Sequence, residues 1–384
     1  MFQPQAEAGR PRCELADIFR DHGESYRRTR RLPLSHLRVM RAIERCRTAA
    51  LGGHLKRCDT CGFEHPTYNS CRNRHCPKCQ SLAKAKWLQK QTSELLPVGY
   101  FHLVFTLPHD LNGLILTDKR ALFKFLFQAV SETLLEFGRT RLGGTIGIIA
   151  VLHTWDQALN DHFHLHCLIP AGALSFDQSR WISVRKNFLF PVKALSLVFR
   201  GKFLDLLKRA LEKRKIQGAS PGLKALRKKK WVVYAKKPFG SPETVLDYLG
   251  RYTHRVALSN DRLLKVQNGQ VTFTYRDRRD ADRKKTITLD AQEFIRRFLL
   301  HVLPEGFMRI RHFGFLANRS KKQALPQCRN LLGLNPALPE IPNRSTHDLM
   351  LELTGADLSR CPCCKKGTMV LVAELPKFSP WDSS

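Results

Sequence analysis

The sequence predicts an α+β fold in which helices pack on one face of an antiparallel sheet, preceded by a helical, cysteine-rich N-terminal part. Three observations carry this. Between residues 101 and 169 the elements run strand, helix, strand, strand, an order that suits an antiparallel sheet. Short apolar runs closed by proline or glycine are interspersed with stretches of helical periodicity. The chain has 384 residues, 43% of them hydrophobic, enough for two or three packed units.

Residues 14 to 50 read as helices, with Leu34, Leu37, Met40 and Ile43 at helical spacing and a stop near Gly52 and Gly53. A cysteine-rich module follows from Cys58 to Cys79. Phe101 to Leu107 reads as a strand closed by Pro108. From Lys119 to Phe137, Leu122, Leu126, Ala129, Val130 and Phe137 share one helical face. Ile146 to His153 and His162 to Ile169 read as strands joined by a short polar link. A helix over Val192 to Lys213 precedes a Gly/Pro linker, and Trp231 to Tyr234 reads as a strand. Ser241-Pro242-Glu243 is a helix start, because serine caps free amides and proline fits the first turn. Asn268-Gly269 between two apolar runs predicts a hairpin. Residues from Lys377 onward read as a disordered tail, and there is no internal repeat.

The net charge is +32 and the pI near 10.1. Basic runs recur along the whole chain, so an extended polyanion is the expected partner, with nucleic acid ahead of membrane lipid. No stretch approaches the roughly 20 apolar residues of a membrane span. The polar N-terminus lacks the apolar core of a signal peptide, which predicts a cytoplasmic, nucleoid-associated protein without disulfides.

Cys58 and Cys61 form one C-x2-C pair and Cys76 and Cys79 another. Two such knuckles can converge on one tetrahedral zinc ion, which predicts a structural zinc and a zinc-ribbon-like module. Cys71, His75 and His54 are near enough in sequence to replace a ligand. Arg72, Arg74 and Lys78 between the knuckles make the module a candidate DNA binder. Cys13, Cys46 and Cys167 read as isolated buried thiols. Cys361 and Cys364 offer another knuckle, with Cys328 a distant candidate partner.

His162, His164 and His166 alternate with apolar residues on one strand, so their imidazoles share a face. Only a neighbouring pair can chelate one ion, since the outer two would stand about 13 Å apart. Tyr248 and Tyr252, four apart on the capped helix, can reach the same place. Arg251, His254 and Arg255 surround them with the positive charge a phenol of pKa near 10 needs to attack phosphorus. By spacing alone the tyrosines would read as core aromatics; the neighbouring metal face is what changes that reading.

His164-Leu165-His166 together with Tyr248-Leu249-Gly250-Arg251-Tyr252-Thr253-His254-Arg255 resembles the two-tyrosine HUH transposases of rolling-circle insertion sequences. Tyr68 to Cys79 resembles the zinc-binding domain that precedes the catalytic domain in that family, and Phe105 to Pro108 and Arg311 to Asn318 extend the likeness over most of residues 15 to 330. Phe163 stands where many relatives carry proline. The resemblance implies an HUH-type sheet and a domain order of 1–95 (helical and zinc-binding, DNA-recognising), 96–325 (catalytic) and 326–384 (C-terminal). It also implies a strand nick in which Mg2+ or Mn2+ on His164 and His166 binds the scissile phosphate and Tyr248 or Tyr252 forms a 5′-phosphotyrosine. The expected substrate is single-stranded and hairpin DNA at the element's ends. A third metal ligand is expected among Gln157, Asp156, His162, Asp247 and His254. The competing expectations are a replication initiator or relaxase with the same chemistry, and a zinc-dependent DNA-binding regulator without catalysis.

Overall fold

The computed structural model describes residues 13–184, 188–216, 222–239, 244–245, 250, 257–277, 280–341, 344–355 and 357–378. The chain opens with two helices, α1 (Leu15–Arg28) and α2 (Leu34–Glu44), then a hairpin of β1 (Gly53–Cys58) and β2 (Glu64–Tyr68) and the long α3 (Pro77–Glu94). Next come β3 (Tyr100–Thr106), α4 (Asn112–Thr117), α5 (Lys119–Phe137), β4 (Gly144–Trp155), β5 (Asp161–Pro170), β6 (Gly172–Ser175) and β7 (Trp181–Ser183). They are followed by α6 (Val192–Glu212), α7 (Leu223–Lys228), β8 (Val233–Phe239), β9 (Leu263–Gln267), β10 (Gln270–Asp277), β11 (Arg283–Asp290) and α8 (Ala291–Leu300). The chain ends with β12 (Ile310–Gly314), α9 (Lys321–Leu331), α10 (Thr346–Thr354) and β13 (Met369–Leu375).

The central sheet has seven strands in the order β7-β6-β4-β5-β3-β8, with β12 also on β4. Every pairing is antiparallel, as the element order predicts. The long β4 carries β6 along Gly144 to Ile146 and β12 along Gly147 to Val151 of one edge, and β5 along the other. Gly314 has φ +64°, and a Cβ there would sit 1.7 Å from the Ile146 carbonyl oxygen, so β12 can close against β4 only with glycine at that position.

Strand alternation divides the sheet into two faces. Phe101, Leu103 and Phe105 of β3, Ile148, Ala150 and Leu152 of β4, and Phe163, Leu165, Cys167 and Ile169 of β5 bury one face under α5 and α6. The helix α5 starts where the Asp118 carboxylate accepts from the Ala121 amide. Phe163 packs on Phe123 with ring centroids 5.6 Å apart, away from the opposite face, as the alternation requires. That opposite face carries His102, His153, His162, His164 and His166. A second core joins α1, α2, α8 and the sheet β11-β10-β9 to Trp155 and Leu159 at the end of β4. Asn268 and Gly269 both have positive φ in the predicted β9–β10 hairpin.

A third sheet, β13-β1-β2, brings the C-terminal strand back to the N-terminal hairpin. Among the described residues, no helix is long and apolar enough to cross a membrane.

Candidate metal centres

His153 of β4 and His164 of β5 are register partners, and His166 is the next residue on the same face. Two adjacent strands therefore bring three imidazoles together, with one ring nitrogen from each within 4.8 Å of the others and all three side chains buried. His164 Nδ1 lies 2.8 Å from the His162 carbonyl oxygen. Its proton is donated there, which directs the Nε2 lone pair inward. His102, on β3, lies with Nε2 2.9 Å from His166 Nδ1, the two rings stacked 8° from parallel. With the proton on His166 Nδ1, the Nε2 of His166 also turns inward. The two Nε2 atoms are 3.1 Å apart. Metal–nitrogen bonds of about 2.1 Å place two ligands of one ion at about this separation. The donor set fits a divalent cation bound by neutral imidazoles. Trp155 stacks on His153 with centroids 5.3 Å apart and fixes that ring.

The histidines stand where two clefts meet. One, of about 1280 Å³, is lined by Lys84, Lys229, Lys230, Tyr234, Lys236, Arg262 and Arg276. The other, of about 840 Å³, runs past Trp155, Asn160, Tyr275, Arg296 and Arg297. His162, His164, His166 and Gln157 line both. Gly250 also lines the first cleft, and a Cβ on it would meet Lys84 and Leu88 of α3 at 2.8 and 3.0 Å.

Strand alternation alone puts His164 and His166 on this face, whereas His153 joins them only through the β4–β5 register. Among the other candidates, His162 lies beside His164 with centroids 4.6 Å apart and rings tilted by 46°, outside the group of three. Asp156 accepts from the Ala158 and Asn160 amides and from the Asn160 side chain at 2.8 to 2.9 Å, so its carboxylate organises the β4–β5 turn. Asp247, Tyr248, Arg251, Tyr252, His254 and Arg255 lie outside the described residues.

The cysteines correct the expectation of one site built from Cys58, Cys61, Cys76 and Cys79. Cys76 and Cys79 converge instead with Cys46 and Cys71, while Cys58 and Cys61 meet Cys361 and Cys364. In the first group Cys46 comes just after α2, Cys71 from the loop between β2 and α3, and Cys76 and Cys79 from the start of α3. Cys79 Sγ is 3.5 Å from Cys46 Sγ and 3.6 Å from Cys71 Sγ. Hydrogen bonds with Cys46, Cys71 and Cys76 pull the Cys79 thiol far below its ordinary pKa, while Cys46, Cys71 and Cys79 push Cys76 up. Four thiols this close compete for one negative charge unless a cation joins them, and the start of α3 favours thiolate there. Cys46, read from sequence as an isolated thiol, is thus a ligand candidate. Cys328 lies in a different core, beside Leu325 and Phe315, and is no partner of Cys361.

Two residues expected to touch DNA have structural work instead. Arg74 donates to the Pro304 and Phe307 carbonyls and bolts the cysteine module to the central body. Lys78 is ion-paired with Glu14, and both side chains are mostly buried. Arg72 is exposed. His75 lies outside the thiol group, its pKa held well below the usual value by burial and then by Arg74.

A buried histidine trio beside a lysine- and arginine-lined cleft, on a body with two four-cysteine groups, gives a basic protein with three places of metal-ligand geometry among its described residues. Comparison with known proteins specifies the class. Residues 18–107 match the family model described as "Transposase zinc-binding domain", and residues 147–324 match the one described as "Putative transposase". The chain is 48% identical over 377 residues to "Putative transposase y4qJ" of Sinorhizobium fredii, covering 94% of each. It is 29% identical over 335 residues to "Transposase for insertion sequence element IS801" of Pseudomonas savastanoi pv. phaseolicola, covering 83% of this chain and 79% of that one. No solved structure matches. The chain belongs to this transposase family, of the IS91/IS801 type. Its N-terminal match is a zinc-binding domain, and the cysteine groups suit structural zinc.

Proposed function

We propose that this transposase nicks and rejoins single-stranded DNA at the ends of an insertion sequence by rolling-circle transposition, through a 5′-phosphotyrosine intermediate. The observation that carries the reading is the buried trio His153, His164 and His166 at the junction of two basic clefts. A strand threaded from one cleft to the other would bring a phosphate to the trio. A divalent metal held there supplies Lewis acidity that neutralises charge on the phosphate. Tyr248 or Tyr252 attacks phosphorus, the phenol losing its proton. The P–O3′ bond breaks and the departing oxygen takes up a proton, leaving a 3′-hydroxyl and a tyrosine ester that later accepts the rejoining strand. Gly250, between the two tyrosines in sequence, lines the cleft that reaches His102, His164 and His166, which supports assigning that segment to the reaction. DNA is accordingly the partner, and Arg72 on the exposed loop is a candidate contact outside the cleft.

The test is incubation of the full chain with labelled single-stranded ends and Mn2+, followed by denaturing electrophoresis. A covalent protein–DNA band that disappears in Tyr248→Phe plus Tyr252→Phe, and in His164→Ala, is the expected result. Tight binding to cognate ends with no covalent band would overturn the proposal and leave a DNA-binding regulator.

A further inference from the structure

Cys361 and Cys364 lie beyond both family matches, the later of which ends at residue 324. Yet the structure seats them against Cys58 and Cys61, some 300 residues earlier, with all four Sγ atoms within 4.8 Å. The two C-x2-C segments are built alike. In the first, the amides of Thr60 and Cys61 each lie 3.4 Å from Cys58 Sγ, and the Gly62 amide donates to the Cys58 carbonyl at 3.1 Å. In the second, the Gly367 amide lies 3.4 Å from Cys364 Sγ, and the Lys365 amide donates to the Cys361 carbonyl at 3.0 Å. The residue after each second cysteine has a left-handed backbone, Gly62 at φ +69° and Lys365 at +57°. Amides aimed at sulfur favour thiolate over thiol.

The sulfur separations identify the ligand. Cys58 and Cys364 are 3.7 Å apart and Cys61 and Cys361 3.6 Å. Four Zn–S bonds of about 2.3 Å in a tetrahedron place sulfurs roughly 3.8 Å apart, whereas a disulfide would need about 2 Å. The second knuckle also has no room for a side chain at Gly367, whose Cβ would lie 2.5 Å from Cys58 Sγ. We infer that Cys58, Cys61, Cys361 and Cys364 bind a second structural zinc ion that clasps the C-terminal segment to the N-terminal hairpin. Strand β13 continues the clasp, pairing with β1 from Cys58↔Met369 to Gly53↔Leu375. Exposed Arg360, Lys365 and Lys366 offset the excess negative charge of four thiolates on one divalent ion.

The wild-type full chain provides its own control. Cys61 and Cys363 are both exposed, but only Cys61 belongs to the site. Under iodoacetamide, read by peptide mass spectrometry, Cys363 should be modified while Cys61 stays protected, and a chelator should expose Cys61. The Cys361→Ser plus Cys364→Ser variant should hold one zinc fewer per chain by elemental analysis, with Cys61 now reactive and Cys79 still protected. Cys61 reacting at the rate of Cys363 in untreated protein, a Cys61–Cys361 disulfide, or an unchanged zinc content in the variant would each overturn the inference.

Discussion

Replacing His102 with phenylalanine isolates what one hydrogen bond contributes to the histidine centre. His102 is 3% exposed and its Nε2 sits 2.9 Å from His166 Nδ1, so the substitution keeps a buried ring but removes this hydrogen bond to His166. Losing a partner that orients a ligating imidazole typically costs 10- to 100-fold in metal affinity, or about 1.4 to 2.8 kcal/mol. The lost hydrogen bond adds a stability cost of about 0.5–1.5 kcal/mol. Mn2+ titration followed by electron paramagnetic resonance should therefore show a 10- to 100-fold weaker site. DNA nicking should recover at high Mn2+, because the three inward-facing imidazoles remain. His102→Gln, whose amide can still bond Nδ1, should recover most of the affinity. If His102→Phe binds Mn2+ as wild type does, or if His102→Gln is as weak as His102→Phe, the orienting role assigned to His102 is wrong.

Arg74→Ala should lower stability by about 1–3 kcal/mol in urea melts, since it leaves two part-buried carbonyls without their charged donor, and should leave the salt dependence of DNA binding unchanged. Arg72→Ala should do the reverse, reducing the slope of log K against log salt by about one with no effect on the melt. His301 is fully buried between Leu159 and Thr154, and burial holds its pKa down to about 4. Its folded pKa is below the unfolded value, so the stability it supports is complete above pH 6.5 and is lost as pH falls toward 4, by about 3 kcal/mol in all. Denaturant melts at pH 7.5 and 4.5 should show that loss shrinking in His301→Gln. Among the described residues the histidine group holds three imidazoles and no carboxylate, so nicking should run faster with Mn2+ than with Mg2+ at equal concentration; a preference for Mg2+ would count against that ligand set.

Periodicity made the central sheet and its covering helices legible. The 3.6-residue stripe of α5 and the two-residue alternation of β5 are undiluted by competing signals, and the predicted helix over residues 119 to 137 has the observed ends. By contrast, α3 has no apolar stripe, because its sides face different neighbours, and it went unread despite Pro77 at its first turn. His153 was invisible as a ligand for a different reason: a single histidine late in a strand acquires meaning only once the β4–β5 register sets it opposite His164. Cysteine spacing identified the knuckles but not their partners. Which pair shares an ion is decided by tertiary distance, and Cys361 is near Cys61 only because β13 returns to β1.

That return has a consequence for how the protein is made. Gly53 pairs with Leu375, so closing the β1–β13 contact costs on the order of 5 kcal/mol in loop entropy for a free chain of more than 300 residues. The contact comes cheaply only after the intervening body has folded. On the ribosome the N-terminal hairpin emerges early and waits with an open edge for the last strand to be synthesised. Any copy of the gene cut short before Cys361 would release a chain whose N-terminal sheet lacks a strand and half of a metal site. Integrity of the 3′ end of the reading frame is thereby registered at the N-terminus of the product.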